Sequence, residues 1–266
     1  MKRIVIKFGG TSVGSAEKIV NAAKIAKKRL KAGNEVIVVV SAMGKTTNDL
    51  IKRSSSISSN FDKSELDVLM SSGEQISSSL LAGALIEMGV KARSWLGWQL
   101  PIFTEGDHSA SRIYAIQTDE VIKFISEGGI PIIAGFQGIS KNSGRITTIG
   151  RGGSDTTALM IAKFFDTDSC EIYTDVEGVF TTDPSINSKA KKIDKISYEE
   201  MLEMSSMGAK VLQARSVELA MKNNLTLQVL SSLTNQKGTF IVNEKKLIEK
   251  EVVSGISYSK NESKIT

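Results

Sequence analysis

Two glycine-rich segments carry the residue types most able to do chemistry. TTIGRGGSDTTA (Thr147–Ala158) sets one arginine, one aspartate and a run of hydroxyls on a turn that leads into an apolar stretch. KFGGTSVG (Lys7–Gly14) sets a lysine just before paired glycines. Glycines let backbone N–H groups close around an anion, and a neighbouring cation adds charge. Neither segment fits a common nucleotide template. A Walker loop ends in Gly-Lys-Ser/Thr, whereas Gly14 is followed by Ser15 and Ala16. GRGGSD puts Asp155 where the last glycine of G-x-G-x-x-G belongs. Both read as anion-binding turns. Tight turns without a ligand become a weak alternative when one carries Lys7 and the other Arg151.

These turns need a scaffold, and strand-like and helix-like segments alternate along the chain. RIVIKF (Arg3–Phe8), EVIVVVSA (Glu35–Ala42), IPIIAGF (Ile130–Phe136) and CEIYTD (Cys170–Asp175) read as strands, and TLQVL and GTFIV close the series. Their continuous Val/Ile runs predict strands covered on both faces. Ser15 caps a first helix whose apolar face is Ile19, Ala23, Ala26 and Leu30, and Gly33 ends it. A long helix is expected over Lys63–Met88, with Leu69, Ile76, Leu80 and Ala84 as its apolar side. Further helices are expected over Ser154–Phe165, Tyr198–Met204 and Ala209–Lys222. The alternation predicts an α/β fold, a mostly parallel sheet between helix layers. KFGGTSVG follows the first strand, where such folds bind nucleotides. The one candidate boundary is the charged stretch Asn243–Glu251.

Composition narrows the function classes. With 266 residues, 41% of them apolar, the chain can bury a sizeable core. The net charge of +5 comes from lysines scattered over helix faces, such as Lys24, Lys27, Lys28 and Lys31. No basic patch is interleaved with aromatics, which argues against nucleic-acid binding. The single cysteine, Cys170, excludes a disulfide framework and a cysteine metal site, reads as core, and fits a reducing cytoplasm. The single histidine, His108, reads as a surface loop residue. No apolar run is long enough for a signal peptide or a membrane span.

KFGGTSVG, SAMGKTTND, SSGEQIS, AGFQG, TTIGRGGSDTTA, YTDVEGVFTTDP and GAKVLQARSVE occur in that order. Together they closely resemble the aspartate kinases of the amino acid kinase family, from Met1 to about Val242. The resemblance implies a three-layer αβα sandwich around an eight-stranded, mostly parallel sheet. It implies transfer of the ATP γ-phosphate to the side-chain carboxylate of L-aspartate, the first step toward lysine, threonine and methionine. The acceptor carboxylate has a pKa of about 3.9 and needs no general base. Catalysis is then positioning plus positive charge at the phosphoryl group.

By resemblance, Lys7, Asp155 and Lys210 are the catalytic set, with Asp155 organising the two lysines. Gly9, Gly10 and Ser41 join Lys7 and Lys210 on the phosphates, and Thr174, Asp175, Phe180 and Asp183 form the nucleotide side. Lys210 is expected at a helix N-terminus, where a cation opposes the macrodipole unless an anion is bound. Glu74 should receive the substrate ammonium, since a buried glutamate is costly without a partner. Arg151 should grip the α-carboxylate bidentately. Gly152, Gly153, Ser154, Thr46 and Thr47 complete the amino-acid side, with Ser154 also capping its helix. Mg²⁺ should arrive with ATP, without a dedicated metal cage. Phe180 and Ser185 stand where many relatives carry tyrosine and arginine, which touches ATP affinity rather than the reaction class.

A kinase domain is therefore expected over residues 1–245. Residues 246–266 resemble a linker and the opening strand of an ACT regulatory domain, so feedback control by lysine or threonine is not expected of this chain. Homo-oligomerisation or association with ACT domains is expected. Membrane and nucleic-acid partners are not. The competing reading is a non-catalytic ligand-binding subunit of the same fold, which predicts loss of Lys7, Asp155 or Lys210; all three are present.

Overall fold

The computed structural model describes residues 1–207, 211–234, 236–244 and 255. The first half runs β1 (Arg3–Phe8), α1 (Ala16–Lys31), β2 (Glu35–Val40), α2 (Thr46–Ile57), α3 (Lys63–Glu87), β3 (Ala92–Trp95), β4 (Ile102–Glu105), β5 (Arg112–Ile116) and α4 (Asp119–Ser126). The second half runs β6 (Ile130–Ala134), β7 (Gln137–Ser140), β8 (Ile146–Thr148), α5 (Gly153–Phe164), β9 (Ser169–Thr174), β10 (Lys195–Ser197), α6 (Tyr198–Ser206), α7 (Ala214–Lys222), β11 (Leu227–Ser231) and β12 (Thr239–Val242).

Eight strands form one sheet in the order β10-β12-β11-β9-β1-β2-β6-β3. Every pairing in it is parallel except β11 with β12. β1 lies inside, between β2 and β9, so its residues are covered on both faces, as its apolar run predicts. Ile4, Ile6 and Phe8 pack with α1 and α3, in a core that also takes Val36, Val38, Leu81 and Leu85. Val5 points the other way, into a core with Ile37, Val39, Ala158, Leu159, Cys170 and Val217. The period-two alternation of strands thus builds two hydrophobic layers on one sheet. Cys170 lies in the second layer, and burial pushes its thiol pKa well up. Among the described residues, no helix is long and apolar enough to cross a membrane.

Helix ends follow local chemistry. The Ser15 hydroxyl caps α1 by accepting from the Lys18 amide, and Gly33 beyond it takes φ +84°. Ser197 and Glu200 form a reciprocal capping box on α6.

Several sequence expectations are corrected. The strands after β1 end earlier than read: β2 at Val40 and β6 at Ala134, so Ser41, Ala42, Gly135 and Phe136 are loop. In α3 the buried face is largely polar from Asp67 to Ser78, with Asp67, Ser71, Gly73, Glu74, Ser77 and Ser78 inside beside Met70, and becomes apolar at Leu81, Ala82 and Leu85, while Ile76 and Leu80 face out. Burial in the first part follows the loops it packs against rather than hydropathy. α5 begins at Gly153 with Gly152 as its cap, so Ser154 lies within the first turn and caps nothing. α7 begins at Ala214, later than the expected Ala209. A second sheet, β5-β4-β7-β8, was not foreseen. Most of the charged stretch 243–251, and residues 246–266 apart from Gly255, lie outside the described residues.

Candidate active site

The site lies at the carboxyl edge of the parallel strands, where such sheets open their ligand crevice. Lys7 follows Val5 by two residues on β1, so its side chain enters the α5 side. Asp155 sits in the first turn of α5, where helix N–H dipoles favour a carboxylate. Lys7 Nζ lies 2.6 Å from Asp155 Oδ1, and both side chains are nearly buried. Asp155 Oδ1 accepts no aligned hydrogen bond, so charge holds the pair. The backbone of Gly9 runs alongside: a methyl placed there would stand 3.5 Å from Lys7 Nζ.

The loops after β1 and β2 interlock. Gly44 N–H donates to Gly10 C=O at 2.9 Å, and Ser41 N–H to Phe8 C=O at 3.1 Å. A Cβ on Gly10 would sit 2.8 Å from the Ala42 carbonyl oxygen, which explains the glycine. On the far side Gly73 lets α3 press against this loop, since a Cβ there would meet Ala42 Cβ at 2.7 Å. That approach delivers Glu74, whose Oε1 accepts from Ala42 N–H at 3.0 Å. Its Oε2 is buried and has no hydrogen-bond partner among the described residues. Burial pushes the Glu74 pKa up to about 8, against the opposing Ala42 amide and the nearby Lys7 charge. Lys7 and Glu74 therefore share one electrostatic environment.

The TTIGRGGSDTTA turn is held from several sides. Gly150 and Gly152 take φ +81° and +71°, the left-handed region natural to glycine. Ile149 N–H donates to Phe136 C=O, and Arg215 donates to Ile149 C=O at 3.1 Å. A Cβ on Gly152 would meet Gln213 Cγ at 2.7 Å. The GAKVLQARSVE segment thus packs against this turn through Gln213 and Arg215, while Lys210 itself lies outside the described residues. Gly153 is buried against Phe136, and Ser154 is buried beside Gly135. Arg151 is exposed and has no ion pair or hydrogen bond among the described residues. Thr46 opens α2 with its hydroxyl on Met43 C=O at 2.7 Å, and Thr47 follows it, half-buried.

The nucleotide-side expectations fall into two groups. Thr174 ends β9, one residue past Tyr173, whose carbonyl accepts from Gly9 N–H at 3.0 Å. Thr174 and Asp175 therefore border the lysine loop. Phe180 and Asp183 lie farther along, in the irregular segment before β10. Phe180 bridges to Lys192, and Asp183 accepts from the Ser185 amide and hydroxyl at 2.8 and 2.7 Å. Ser185 thus tightens a turn instead of supplying a cation.

His108 is a correction. It is not a free surface residue: its Nδ1 lies 2.6 Å from Asp67 Oδ2, on a carboxylate with no exposure. Asp67 also accepts from the Ser109 amide and hydroxyl and from the Thr148 hydroxyl. Only a polar residue seven positions before Glu74, on the same face of α3, could have hinted at it.

Comparisons with known proteins bear on the family and the fold. The model of the amino acid kinase family matches residues 2–231. An aspartokinase of Bacillus sp. (strain MGA3) is 48% identical over 266 residues, which is 100% of this chain and 64% of that protein. The aspartate kinase of Synechocystis superposes with a TM-score of 0.80 at 44% identity, over 90% of this chain and 40% of that one. E. coli aspartokinase III in complex with aspartate and ADP superposes with a TM-score of 0.79 at 27% identity, over 90% of this chain and 64% of that one. The chain thus spans just under two thirds of the Bacillus relative it matches.

Proposed function

The chain belongs to the amino acid kinase family, and on that premise we propose that it transfers the γ-phosphoryl group of MgATP to the side-chain carboxylate of L-aspartate. The observation that carries the reading is Glu74: a buried carboxylate with one oxygen on the Ala42 amide and the other without a partner among the described residues. An α-ammonium is the ligand group that such an oxygen lacks. Arg151 offers the complementary fork to the α-carboxylate. The two ends of an α-amino acid are then matched by two opposite charges, which leaves its side chain for chemistry.

Reaction needs a carboxylate to meet a polyanion. A carboxylate oxygen of the substrate attacks Pγ, the Pγ–O bond to ADP breaks, and 4-phospho-L-aspartate leaves with ADP. Lys7 neutralises charge on the phosphoryl group, and Asp155 fixes where Lys7 points. Lys210 serves as the second cation. Backbone N–H groups at Gly9 and Gly10, with Ser41, cradle the phosphates. Thr174 and Asp175 border the nucleotide, with Phe180 and Asp183 farther out. Thr46, Thr47, Gly152, Gly153 and Ser154 line the amino-acid side. Magnesium enters with the nucleotide, held by phosphate oxygens and water. Residues 1–245 constitute the kinase unit. Association with a second copy or with ACT domains, and a reducing cytoplasm, complete the proposal.

A panel of acceptors tests the choice of substrate. ADP release should depend on L-aspartate and stay at background with N-acetylglutamate, glutamate, carbamate and UMP. Turnover with another of these and not with aspartate would overturn the reading.

A further inference from the structure

Asp67 stands on the same face of α3 as Glu74 but has no part in the proposed contacts with either substrate. It is a carboxylate with 0% exposure that takes four donors. His108 Nδ1 lies at 2.6 Å, Ser109 N–H at 3.1 Å, Ser109 Oγ at 3.0 Å and Thr148 Oγ1 at 2.6 Å. These donors come from two separate segments. His108 and Ser109 belong to the loop between β4 and β5, and Thr148 ends β8. Burying a charge is expensive, and four well-placed donors offset that cost.

Thr148 is three residues before Arg151, and the bonds continue toward it. Ser111 N–H donates to Thr148 C=O at 3.1 Å. The Ser109 carbonyl packs so closely on Gly150 that a Cβ there would lie 2.9 Å away. Ser109 itself takes φ +66°, an uncommon conformation for serine that its two bonds to Asp67 hold in place. One carboxylate on α3 therefore clamps the loop that packs on Gly150 and the strand that leads to Arg151. Glu74, two helical turns on, rides on the same rigid helix.

We infer that Asp67, with His108 and Ser109, is a positioning group that sets the span between Glu74 and Arg151, and so selects the length and register of the amino acid bound between them. The inference rests on the proposed reading of those two residues as the ammonium and carboxylate sites. Asp67 touches no substrate, and its effect is on amino-acid affinity, not on the phosphates.

The test uses Asp67→Asn and His108→Gln in the full chain, with L-aspartate binding by calorimetry and steady-state kinetics for both substrates. Asp67→Asn keeps the shape but turns one acceptor into a donor, which leaves Ser109, Thr148 or His108 unmatched. Displacement of a binding group by about an ångström costs up to about 100-fold. The expected result is aspartate affinity weakened about tenfold or more in Asp67→Asn and less in His108→Gln, with the KM for ATP within about twofold of wild type. Asp67→Glu, too long for the pocket, should not restore affinity. Unchanged aspartate affinity in both folded variants would overturn the inference. So would equal losses for ATP and aspartate, the mark of a merely structural role. If wild type neither binds nor phosphorylates aspartate, the proposed function fails with it. If wild type does both and both variants behave like it, this inference alone fails.

Discussion

Lys7 Nζ and Asp155 Oδ1 face each other at 2.6 Å across the junction of β1 and α5, nearly shielded from water. A buried pair of this kind is weak evidence for stability but is costly to break from one side. Lys7→Ala leaves Asp155 uncompensated and should destabilise the chain by about 3 kcal/mol. Lys7→Ala/Asp155→Ala removes both charges and should recover part of that loss. Denaturant melts of the three variants check this. A double variant less stable than Lys7→Ala would show that the pair acts by packing, not by charge.

Glu74 makes stability and binding depend on pH. Its folded pKa of about 8 lies above the usual carboxylate value, so the folded state holds a proton that the unfolded state gives up. Stability therefore falls as pH rises from about 4.5 to 8. Glu74→Gln should flatten that decline. An arriving ammonium should expel the proton, so L-aspartate binding near pH 7 should release close to one proton. Calorimetry in two buffers of different ionisation enthalpy measures it. Proton uptake would contradict the ammonium assignment.

Arg151→Lys keeps the charge but loses the fork. The KM for aspartate should rise by about tenfold or more, as for one lost charge-assisted hydrogen bond of 1.5–3 kcal/mol, with the KM for ATP little changed. Equal changes for both substrates would place Arg151 on the phosphates.

Gly73→Ala should cost about 1–3 kcal/mol through overpacking, because its methyl would meet Ala42 Cβ at 2.7 Å. The same push moves Glu74 off the Ala42 amide, so aspartate affinity should fall as well. Thermal melts and binding titrations report the two effects separately.

Much of this site is legible in the sequence where one local rule dominates. Arg3–Phe8 reads as an internal strand because its apolar run needs cover on both faces, and it has it. Gly10 and Gly152 read as turn positions because close approach or positive φ demands glycine. The misreadings arise where long-range contacts override local pattern. α3 buries Glu74 and Asp67 and exposes Ile76, against its hydropathy, because its inner face packs on the loops at Ala42 and His108. The short strands β4, β5, β7 and β8 have too few residues to show a period, and so the loop between β4 and β5 that brings His108 to Asp67 on α3 is hidden. His108 lies in a loop, as read, but its buried partner is 41 residues away in the sequence, so it reads as a surface residue.

In the proposed reaction this chain makes an acyl phosphate on aspartate, with Lys7 at the phosphoryl group. Hydroxylamine traps acyl phosphates, so purified chain with MgATP, L-aspartate and hydroxylamine is the most direct measurement, with Lys7→Ala alongside. Wild type should give aspartyl hydroxamate and Lys7→Ala at least about 100-fold less, in line with loss of a group that stabilises transition-state charge. Equal product from both, or none from folded wild type that binds ATP, would contradict it.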